Sequence, residues 1–300
     1  MSPTSKKHNI FVRAIAKPAR TLIKCISPKK YVSIEYRYIT GHKLNLQNPT
    51  RYTEKLQYLR LYEYPNNQKV TECADRERVR KYVKDKGFED NLIKIYGVFD
   101  NFDDIDFSLL PSSFVMKCTH ACAFNFICKN KNKININQLR KQFNKWLKTD
   151  YGKKTIEPHY SNIKPKIIIE ELLLENNTLP IEYKIHVFNG EPKYMYVVTS
   201  RENDIHYNNY YIDWKPFNEA QFNHWTEAKD EIKKPSCWLE MVKMAQVLAD
   251  DFPFVRVDLY VIHNKIYFSE LTFTPAKGTL LFRDDKADFI IGEWLELNAK

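Results

Sequence analysis

Two acidic residues lie at matching positions in the run FVRVDLYVIHNKIYFSELTFTP, residues 254–275. Apolar residues alternate along both halves of the run, and strand faces repeat every two residues, so the run predicts a β-hairpin. A three-residue turn would pair Asp258 directly with Glu270, and Arg256 with Thr272. Like charges directly opposite each other destabilise a sheet. The pair therefore predicts a nearby cation, either a divalent metal ion or a buried basic side chain such as Arg256.

Other residues have the chemistry that a nucleotide site needs. Lys117 lies on a predicted strand that runs into a polar loop, and a lysine supplies point charge to phosphate oxygens. Glu170 and Glu171 end a strongly apolar run, where a carboxylate and free backbone groups can hydrogen-bond the edge of an adenine ring. A pair of carboxylates suits Mg²⁺, which prefers oxygen ligands and bridges phosphate oxygens. These residue types together favour a site for a magnesium-bound nucleotide.

The surrounding sequence predicts the elements that would hold these residues. Helical spacing and end signals predict helices over these segments: 53–62, 72–86 with Gly87 as its end, a stretch from Asn135, 238–250 and a last helix near 287–297. Strand patterns cover LIKIYGVF, SFVMKCTH and 165–174, and a further hairpin over 182–200 turns at Asn189-Gly190. Helices and antiparallel hairpins alternate, which indicates a mixed α/β or α+β fold.

Composition narrows the class of protein. The chain of 300 residues is 43% hydrophobic and 28% charged, which is typical of a globular protein. It has neither a continuous apolar stretch of membrane-spanning length nor a signal-peptide pattern, so we expect a cytoplasmic protein. The net charge of +10 suits anionic partners. Nucleic acid is not expected to be among them, because the lysines are dispersed and no known binding module is evident.

Two segments leave alternatives open. Residues 1–30 are basic with scattered apolar positions, so they fit either an amphipathic helix resting on an anionic membrane surface or a helix packed on the domain. In KCTHACAF, the residues Cys118, His120 and Cys122 would share a strand face and suggest zinc. The spacing lacks a paired Cys-x-x-Cys, and reduced thiols are the favoured interpretation.

Six segments, in order, resemble the TupA-like (teichuronopeptide-biosynthesis) ATP-grasp proteins of bacterial surface-polysaccharide loci: NPTRYTEKLQYLRLY, CADRERVRKYVKDKG, SFVMKCTH, NIKPKIIIEELL, EYKIHVFNGEPKYMYV and DFPFVRVDLYVIHNKIYFSELTFTP. The similarity covers roughly residues 48–297. It implies an α/β (α+β) ATP-grasp fold, in which two α+β subdomains grip a nucleotide between antiparallel sheets, with an N-terminal helical extension. The resemblance implies a basic N-terminal extension, 1–47, followed by an ATP-grasp-like domain, 48–300. That domain would consist of an N-terminal part, 48–110, a loop-bearing nucleotide subdomain, 111–172, and a C-terminal metal-binding subdomain, 173–300.

The resemblance also implies roles for individual residues. It assigns ATP binding to one set: Lys117, Arg76, His120, Glu170, Glu171, Leu172, Glu182 and Lys184. Lys117 matches a phosphate-contacting lysine, and Glu170, Glu171 and Leu172 match the hinge segment that cups adenine. Glu182 and Lys184 match an acidic-x-lysine pair near the ribose and phosphates.

The metal and catalytic residues come from the late hairpin and its neighbour. Asp258 and Glu270 match the carboxylates that hold Mg²⁺, and Thr272 stands where many ATP-grasp enzymes have a metal-binding asparagine. Arg256 matches an arginine that faces phosphate or the acyl substrate. The resemblance implies catalytic roles for Arg256 and Lys184.

The chain departs from the pattern of the family in two main places. The loop after Lys117 is normally close to His-Gly-Ser-Gly-Gly, and here the five residues from His120 are His-Ala-Cys-Ala-Phe, ending at Phe124. Glycines let backbone N–H groups approach phosphates closely, and phenylalanine does not substitute for them. A helix that usually begins Asp-Lys has Asp75-Arg76 instead. A lesser change is Thr-Pro-Ala-Lys-Gly at 274–278 in place of a Thr-Pro-Gly-Ser-Gly pattern.

The implied function is an ATP- and Mg²⁺-dependent ligase that amidates a sugar acid with an amino acid or amine through an acylphosphate. The implied setting is the biosynthesis of a capsule or O-antigen type of polysaccharide, with an acidic, lipid-linked sugar precursor as partner. One alternative is a glycosyltransferase or sugar-modifying transferase of the same pathway, although the acidic stretch DNFDDID (100–106) is typical of a solvated linker. The other is an idle relative that only binds nucleotide or glycan, which the altered loop favours.

Overall fold

The computed structural model describes residues 23–24, 26–200, 205–229 and 231–297, with only the backbone described for Ser200. Contacts divide the chain into two compact units, one ending at Asn45 and the other beginning at Leu46. The segment 1–30, for which membrane contact was predicted, lies largely outside the described residues. Within the described ranges, no helix is both long and apolar enough to cross a bilayer.

The first unit contains helix α1, Pro28–Thr40. Its start is marked by Ser27, whose side chain accepts a hydrogen bond from the backbone N–H of Lys30, and by proline in the first turn. The helix ends at Gly41, which has φ of 79° and donates its N–H to the carbonyl of Arg37. Glycine suits this left-handed end because it has no Cβ.

The helices of the second unit are α2 Tyr52–Tyr58, α3 Gln68–Ala74, α4 Val79–Asp85, α5 Ile136–Leu147, α6 Tyr151–Thr155, α7 Trp238–Ala249 and α8 Lys286–Glu293. A π-helix, Leu59–Glu63, continues α2, so the predicted helix over 53–62 changes its winding halfway. The predicted helices from Asn135, over 238–250 and near the C-terminus are confirmed by α5, α7 and α8.

The predicted continuous helix over 72–86 is wrong, because the chain breaks between α3 and α4. The carboxylate of Asp75 accepts hydrogen bonds from the backbone N–H of Glu77 at 2.9 Å and of Arg78 at 3.4 Å. A short acidic side chain offers the backbone this alternative to the helical pattern, so α3 stops and a new helix starts. The break leaves Arg76 in a turn between α3 and α4, so neither helix sets the direction of its side chain.

The smaller sheet is built from β1 Ile95–Phe99, β2 Phe114–Cys118, β3 Asn125–Cys128 and β4 Ile167–Glu170, in the order β1-β4-β2-β3. All of its pairings are antiparallel. Leu139 and Phe143 of α5 belong to the same buried core as Phe114 and Met116 of β2. The predicted strand over 165–174 is shorter than expected, and it ends at Glu170.

The larger sheet contains β5 Glu182–Phe188, β6 Glu191–Ser200, β7 His206–Tyr211, β8 Thr226–Glu227, β9 Phe254–Ile262 and β10 Lys265–Thr272. Their order is β10-β9-β5-β6-β7-β8, antiparallel except for the β7–β8 pair. The predicted hairpin turn is confirmed, since Asn189 and Gly190 have φ of 47° and 82°. Val257 and Leu259 of β9 are buried in a core that includes Met244 of α7. The mixed α/β fold with two sheets is therefore confirmed.

The turn of the late hairpin has two residues rather than the predicted three. His263 and Asn264 both have positive φ, 48° and 62°, and Ile262 pairs with Lys265 instead of with Ile266. Two left-handed residues form the turn whose twist matches that of the flanking strands. The predicted three-residue turn is therefore wrong. Asparagine tolerates the left-handed conformation, which makes a two-residue turn possible here.

A β-bulge restores the predicted pairing at the acidic residues. The register shifts between Phe268 and Glu270, so that Glu270 lies opposite Asp258 and Thr272 lies opposite Arg256. A bulge places one extra residue in one strand and moves every later pair by one position. The predicted pairing of the two carboxylates is confirmed, although the turn that was expected to produce it is not.

Candidate functional site

Four polar side chains form a row straight across four neighbouring strands of the larger sheet. Glu270 of β10 pairs with Asp258 of β9, which pairs with Lys184 of β5, which pairs with Tyr196 of β6. Residues paired in register across antiparallel strands point to the same face. The row therefore places two acids and a lysine side by side.

A second row lies two residues along the strands, on the same face. It consists of Thr272, Arg256, His186 and Tyr194, again paired strand by strand. His186 is completely buried, and its Nδ1 lies 3.2 Å from the hydroxyl of Tyr52. Burial, followed by the positive charge of Arg256, holds the pKa of His186 well below its usual value. His186 is therefore an uncharged side chain that packs beneath the charged residues.

Basic side chains neutralise the acidic pair in this structure. Asp258 is completely buried and accepts two hydrogen bonds from Arg256, with Nε to Oδ1 at 2.6 Å and Nη2 to Oδ2 at 2.7 Å. The ammonium group of Lys184 also donates to Oδ2 of Asp258, and its Nζ lies 2.8 Å from Oε2 of Glu182. A bidentate arginine is the geometry that best stabilises a buried carboxylate. Arg256 and Lys184 are thus the basic side chains that supply positive charge at Asp258.

Glu270 is the more accessible member of the pair, with 30% of its side-chain surface exposed. Its Oε2 accepts a hydrogen bond from Nη2 of Arg76 at 3.1 Å, and its Oε1 lies 3.8 Å from Nη2 of Arg256. Burial alone would raise the pKa of Glu270. The positive charges of Arg76, Lys184, Arg256 and Lys117 outweigh burial and lower that pKa to about 2. Glu270 is therefore an ionised, partly accessible oxygen donor at neutral pH.

Thr272 links the arginine to the accessible carboxylate. Its hydroxyl accepts a hydrogen bond from Nη2 of Arg256 at 3.0 Å and donates to Oε1 of Glu270 at 3.3 Å. The hydroxyl thus lies beside the acidic pair, at the position where the resemblance implies a metal-binding asparagine.

A second acid–base pair lies at the end of the smaller sheet. Nζ of Lys117 on β2 lies 2.6 Å from Oε2 of Glu170 on β4. Burial lowers the pKa of Lys117, but the neighbouring charge of Glu170 has the opposite effect, and the net shift is upward. The same two side chains line a cavity of about 80 Å³ together with Glu171, Leu172 and Tyr260. Tyr260 comes from β9, so the cavity joins the two sheets.

The cavity brings together the residues that were predicted to cup adenine. Of the two glutamates, Glu170 is buried and faces Lys117, whereas Glu171 is exposed and donates its backbone N–H to the carbonyl of Lys94 at 2.9 Å. Leu172 is buried and adds an apolar wall. The structure therefore assigns the charge contact to Glu170 and leaves the Glu171 side chain at the rim.

Arg76 connects the loop that follows Lys117 with the acidic pair. Its Nη1 donates to the carbonyl of Cys118 at 3.1 Å and to that of Ala121, and its backbone N–H donates to Thr119 at 3.2 Å. Its Nη2 reaches Glu270 on the larger sheet. A guanidinium group has five donors in a rigid fork, which allows these contacts simultaneously.

The loop itself folds onto the core of the smaller sheet. Phe124 is buried and stacks on Trp146 at 5.1 Å between ring centroids, with Tyr151 edge-on at 5.5 Å. His120 is also buried, and its Nε2 lies 3.2 Å from the carbonyl oxygen of Thr149. Burial lowers the pKa of His120. The structure thus brings Lys117 and Glu170 together but places His120 beneath the loop, away from the cavity.

A turn that follows β10 is held in an uncommon conformation. Ala276, Lys277 and Gly278 are all left-handed, with φ of 48°, 57° and 69°. Nε2 of Gln57 donates to the carbonyls of Lys277 and Gly278, both at 2.8 Å, and Nη1 of the buried Arg60 donates to that of Lys277 at 2.9 Å. Non-glycine residues in this conformation persist where their surroundings hold them.

Tyr196 is a member of the site that the sequence did not reveal. Its hydroxyl accepts a hydrogen bond from Nη1 of Arg256 at 2.9 Å. Counting back from the confirmed turn would place Met195 opposite Lys184, but a register shift between His186 and Val187 moves Tyr196 into that place. No sequence signal marks this shift, because the alternating pattern does not say where an extra residue is inserted.

The donor atoms fit magnesium that arrives with a nucleotide. No described residues form a group of three or more His, Cys, Asp or Glu side chains able to hold a metal ion, the alternative set Cys118, His120 and Cys122 included. Mg²⁺ is usually held by one or two carboxylates, with phosphate oxygens and waters completing its shell. Asp258 and the ionised, accessible Glu270 supply such a pair of carboxylates.

Comparisons with solved structures give weak likenesses. D-alanine–D-alanine ligase from Bacillus anthracis, complexed with ATP, is 13% identical over 67% of this chain and 54% of its own, with a TM-score of 0.40. The same ligase from Helicobacter pylori is 15% identical over 82% and 67%, with a TM-score of 0.43. L-amino acid ligase from Bacillus licheniformis is 12% identical over 75% and 49%, with a TM-score of 0.42. The chain thus spans about half to two thirds of the length of these proteins.

Comparison of sequences is more decisive. No curated protein matches the chain significantly. The family described as TupA-like ATP-grasp matches residues 54–296, which is most of the chain. That range contains both sheets, the acidic pair and the Lys117–Glu170 pair. The chain belongs to the TupA-like ATP-grasp family, as its sequence motifs predicted.

Proposed function

We propose that this protein is an ATP- and Mg²⁺-dependent ligase that joins a carboxylate to an amine. The observation that carries the proposal is the cross-strand pair of Asp258 and Glu270. The positive charge of Lys117, which pairs with Glu170 at the cavity between the sheets, also helps to lower the pKa of Glu270. Family membership supports ATP as the phosphoryl donor. The ligase activity explains why ionised acids and buried bases are gathered at one place.

The nucleotide is proposed to bind along the line of these charged groups. Glu170, Glu171 and Leu172 would contact adenine in the cavity that they line, with Glu182 beside the ribose. Lys117 and Arg76 would contact phosphate oxygens, because both are cationic and lie at the loop end of the smaller sheet. In this proposal His120 supports the loop from beneath rather than touching the nucleotide.

Asp258 and Glu270 would hold the magnesium ion, with Thr272 beside them. The ion, when bound, neutralises charge on the phosphate oxygens. Arg256 and Lys184 would stabilise the negative charge that develops on the transferred phosphoryl group, because both already lie against the carboxylates. Their fixed positions are an advantage, since donors that are already oriented need no rearrangement during the reaction.

The proposed reaction has two displacement steps. An oxygen of the substrate carboxylate attacks the γ-phosphorus of ATP, and ADP leaves, which gives an acylphosphate. The amine nitrogen then attacks the acyl carbon, the bond to phosphate breaks, and the amine loses a proton. The products are an amide, ADP and inorganic phosphate.

The substrate class and setting are also proposals. An acidic sugar is proposed as the carboxylate and an amino acid or amine as its partner, in the synthesis of a surface polysaccharide of the capsule or O-antigen type. The net charge of +10 and the cationic side chains at the site suit an anionic substrate. A lipid-linked precursor would place the protein in the cytoplasm at the inner face of the membrane, with residues 1–30 in contact with it.

One structural feature favours a second candidate, an idle relative that binds nucleotide or glycan without turnover. Phe124 is buried on Trp146, and Arg76 is bonded to two carbonyls of the loop that covers phosphates in the resemblance. No such feature favours the glycosyltransferase alternative. Two acids of the segment 100–106, Asp100 and Asp103, instead form exposed ion pairs with lysine and arginine.

Calorimetric titration with a non-hydrolysable ATP analogue, with and without Mg²⁺, tests the proposal. We expect magnesium-dependent binding that is lost in an Asp258→Asn/Glu270→Gln variant and kept in a Glu231→Gln/Glu240→Gln control, which removes the same charge at exposed positions. Phosphate release would then be assayed with uronic acids and amines. Binding without phosphate release from any pair would favour the idle relative. Absence of nucleotide binding in the native protein would refute the ligase and leave only a glycan-binding relative, which titration with acidic glycans would then test.

A further inference from the structure

Helix α1 and the two residues before it carry an unusual share of the exposed large hydrophobic side chains. Eleven large hydrophobic side chains are exposed among the described residues, and four of them lie within residues 26–40. These are Ile26, Ile34, Tyr38 and Ile39, with exposed fractions of 73%, 56%, 70% and 36%. Single exposed apolar residues are ordinary, but a cluster in so short a segment indicates an interaction surface.

Two of the exposed residues, Ile34 and Tyr38, lie on the opposite side of α1 from its buried residues, whereas Ile39 lies on the same side as Val32. Val32 and Tyr36, one turn apart, are completely buried. Ile34 and Tyr38 follow each of them by two positions, which is a rotation of about 200° around the helix at 100° per residue. They therefore form a stripe, one turn long, on the side of the helix away from Val32 and Tyr36, which we call the outward side of α1.

Basic side chains flank this stripe. Lys30 precedes Ile34 by four positions and Arg37 follows it by three, so both lie on the same side of the helix. The described residues from 23 to 43 contain five lysines and arginines against a single acid, Glu35. The outward side of α1 therefore combines two exposed apolar side chains with Lys30 and Arg37, in a segment whose net charge is positive.

We propose that the outward side of α1, defined by Lys30, Ile34, Arg37 and Tyr38, docks the protein on a membrane surface rich in anionic phospholipid. Basic residues are attracted to the lipid headgroups, and the apolar side chains between them insert at the boundary with the acyl chains. Nucleic acid would use the positive charge but offers nothing to cover Ile34. The docking extends the membrane contact proposed for residues 1–30 and does not depend on the ligase chemistry.

The test is flotation of the full chain with vesicles of phosphatidylglycerol and phosphatidylcholine, compared with vesicles of phosphatidylcholine alone. We expect binding to the anionic vesicles only, weakened by salt because screening reduces the attraction. An Ile34→Ser/Tyr38→Ser variant should have an affinity for the anionic vesicles that is lower by a factor of about ten or more. A Lys30→Gln/Arg37→Gln variant should also bind more weakly and lose much of its salt dependence.

A matched control removes two apolar residues elsewhere that are even more exposed than Ile34 and Tyr38. Leu109 and Leu239 are 82% and 78% exposed, and a Leu109→Ser/Leu239→Ser variant should bind vesicles as the native protein does. The proposal is overturned if the native protein does not bind anionic vesicles, or if the Ile34/Tyr38 variant binds as well as the control. Nucleotide binding should be the same in all variants, so failure here is distinguishable from failure of the proposed ligase.

Discussion

Replacement of Glu270 by glutamine should make the stability of this protein less sensitive to acid. Glu270 is ionised in the folded protein because Arg76 and its other cationic neighbours lower its pKa to about 2, from an ordinary value of 4.5. Glutamine keeps the size of the side chain but removes the charge that these cations face. The change therefore isolates the electrostatic contribution of a single carboxylate to the free energy of unfolding.

The size of the effect follows from the difference in pKa between the folded and unfolded chains. A lowered folded pKa contributes stability that is present above the unfolded pKa and is lost as the pH falls toward the folded one. A difference of about 2.5 pH units corresponds to about 3 kcal/mol at neutral pH. About 2 kcal/mol of this should be lost by about pH 3. Because 30% of the Glu270 side chain is exposed, solvent screening makes these figures upper values.

Urea unfolding of the native protein and of the Glu270→Gln variant, at a series of pH values from neutral to about pH 3, measures this difference. We expect the native protein to be the more stable at neutral pH, with the gap narrowing as the pH falls. A Glu231→Gln variant, which removes an exposed carboxylate, serves as the matched control. A gap that stays constant over the whole range would refute the idea that the cationic cluster holds Glu270 ionised.

Three further changes test other parts of the structure. Phe124→Ala should lower the free energy of unfolding by about 3–5 kcal/mol in urea, because the ring is packed on Trp146; a loss below about 1 kcal/mol would contradict this packing. Thr272→Val should cost about 1 kcal/mol in the same assay, since it removes the hydroxyl between two charged groups. Burial and, secondarily, Arg60 lower the pKa of His159 to about 3. Its ring resonances in nuclear magnetic resonance should therefore not shift between neutral pH and about pH 5, and the protein should lose stability below about pH 6.5, where the unfolded histidine takes up a proton.

Local patterns were sufficient to predict β5, β6, β9 and β10 of the larger sheet and the pairing of Asp258 with Glu270, but not β7 and β8. Alternation of apolar and polar residues fixes which face each side chain takes, and this holds wherever one face of a sheet is buried. Turn chemistry was less reliable, as the two-residue turn at His263 and Asn264 shows. The pairing was nevertheless correct, because the bulge before Glu270 offset the shorter turn.

What the sequence could not predict depends on contacts between distant segments. The shift that places Tyr196 opposite Lys184 has no local pattern, and neither has the inward direction of His120. A loop of similar composition could hold its histidine toward a nucleotide or beneath the backbone. The choice is made by Phe124, whose ring gains more from stacking on Trp146 than from exposure to water.

The two departures from the pattern of the family are Arg76, in place of a lysine, and the loop without glycine after Lys117. In the structure these two departures contact each other. A glycine-rich loop offers backbone N–H groups to phosphates, whereas in this chain the carbonyls of Cys118 and Ala121 accept hydrogen bonds from Arg76. A lysine at that position would carry its donors on a single nitrogen and could not reach these carbonyls and Glu270 from two separate nitrogens. The arginine and the loop without glycine are therefore matched to each other. Because the same guanidinium group contacts the loop and Glu270, any ligand that draws Arg76 away from the loop must also change the charge balance at the acidic pair.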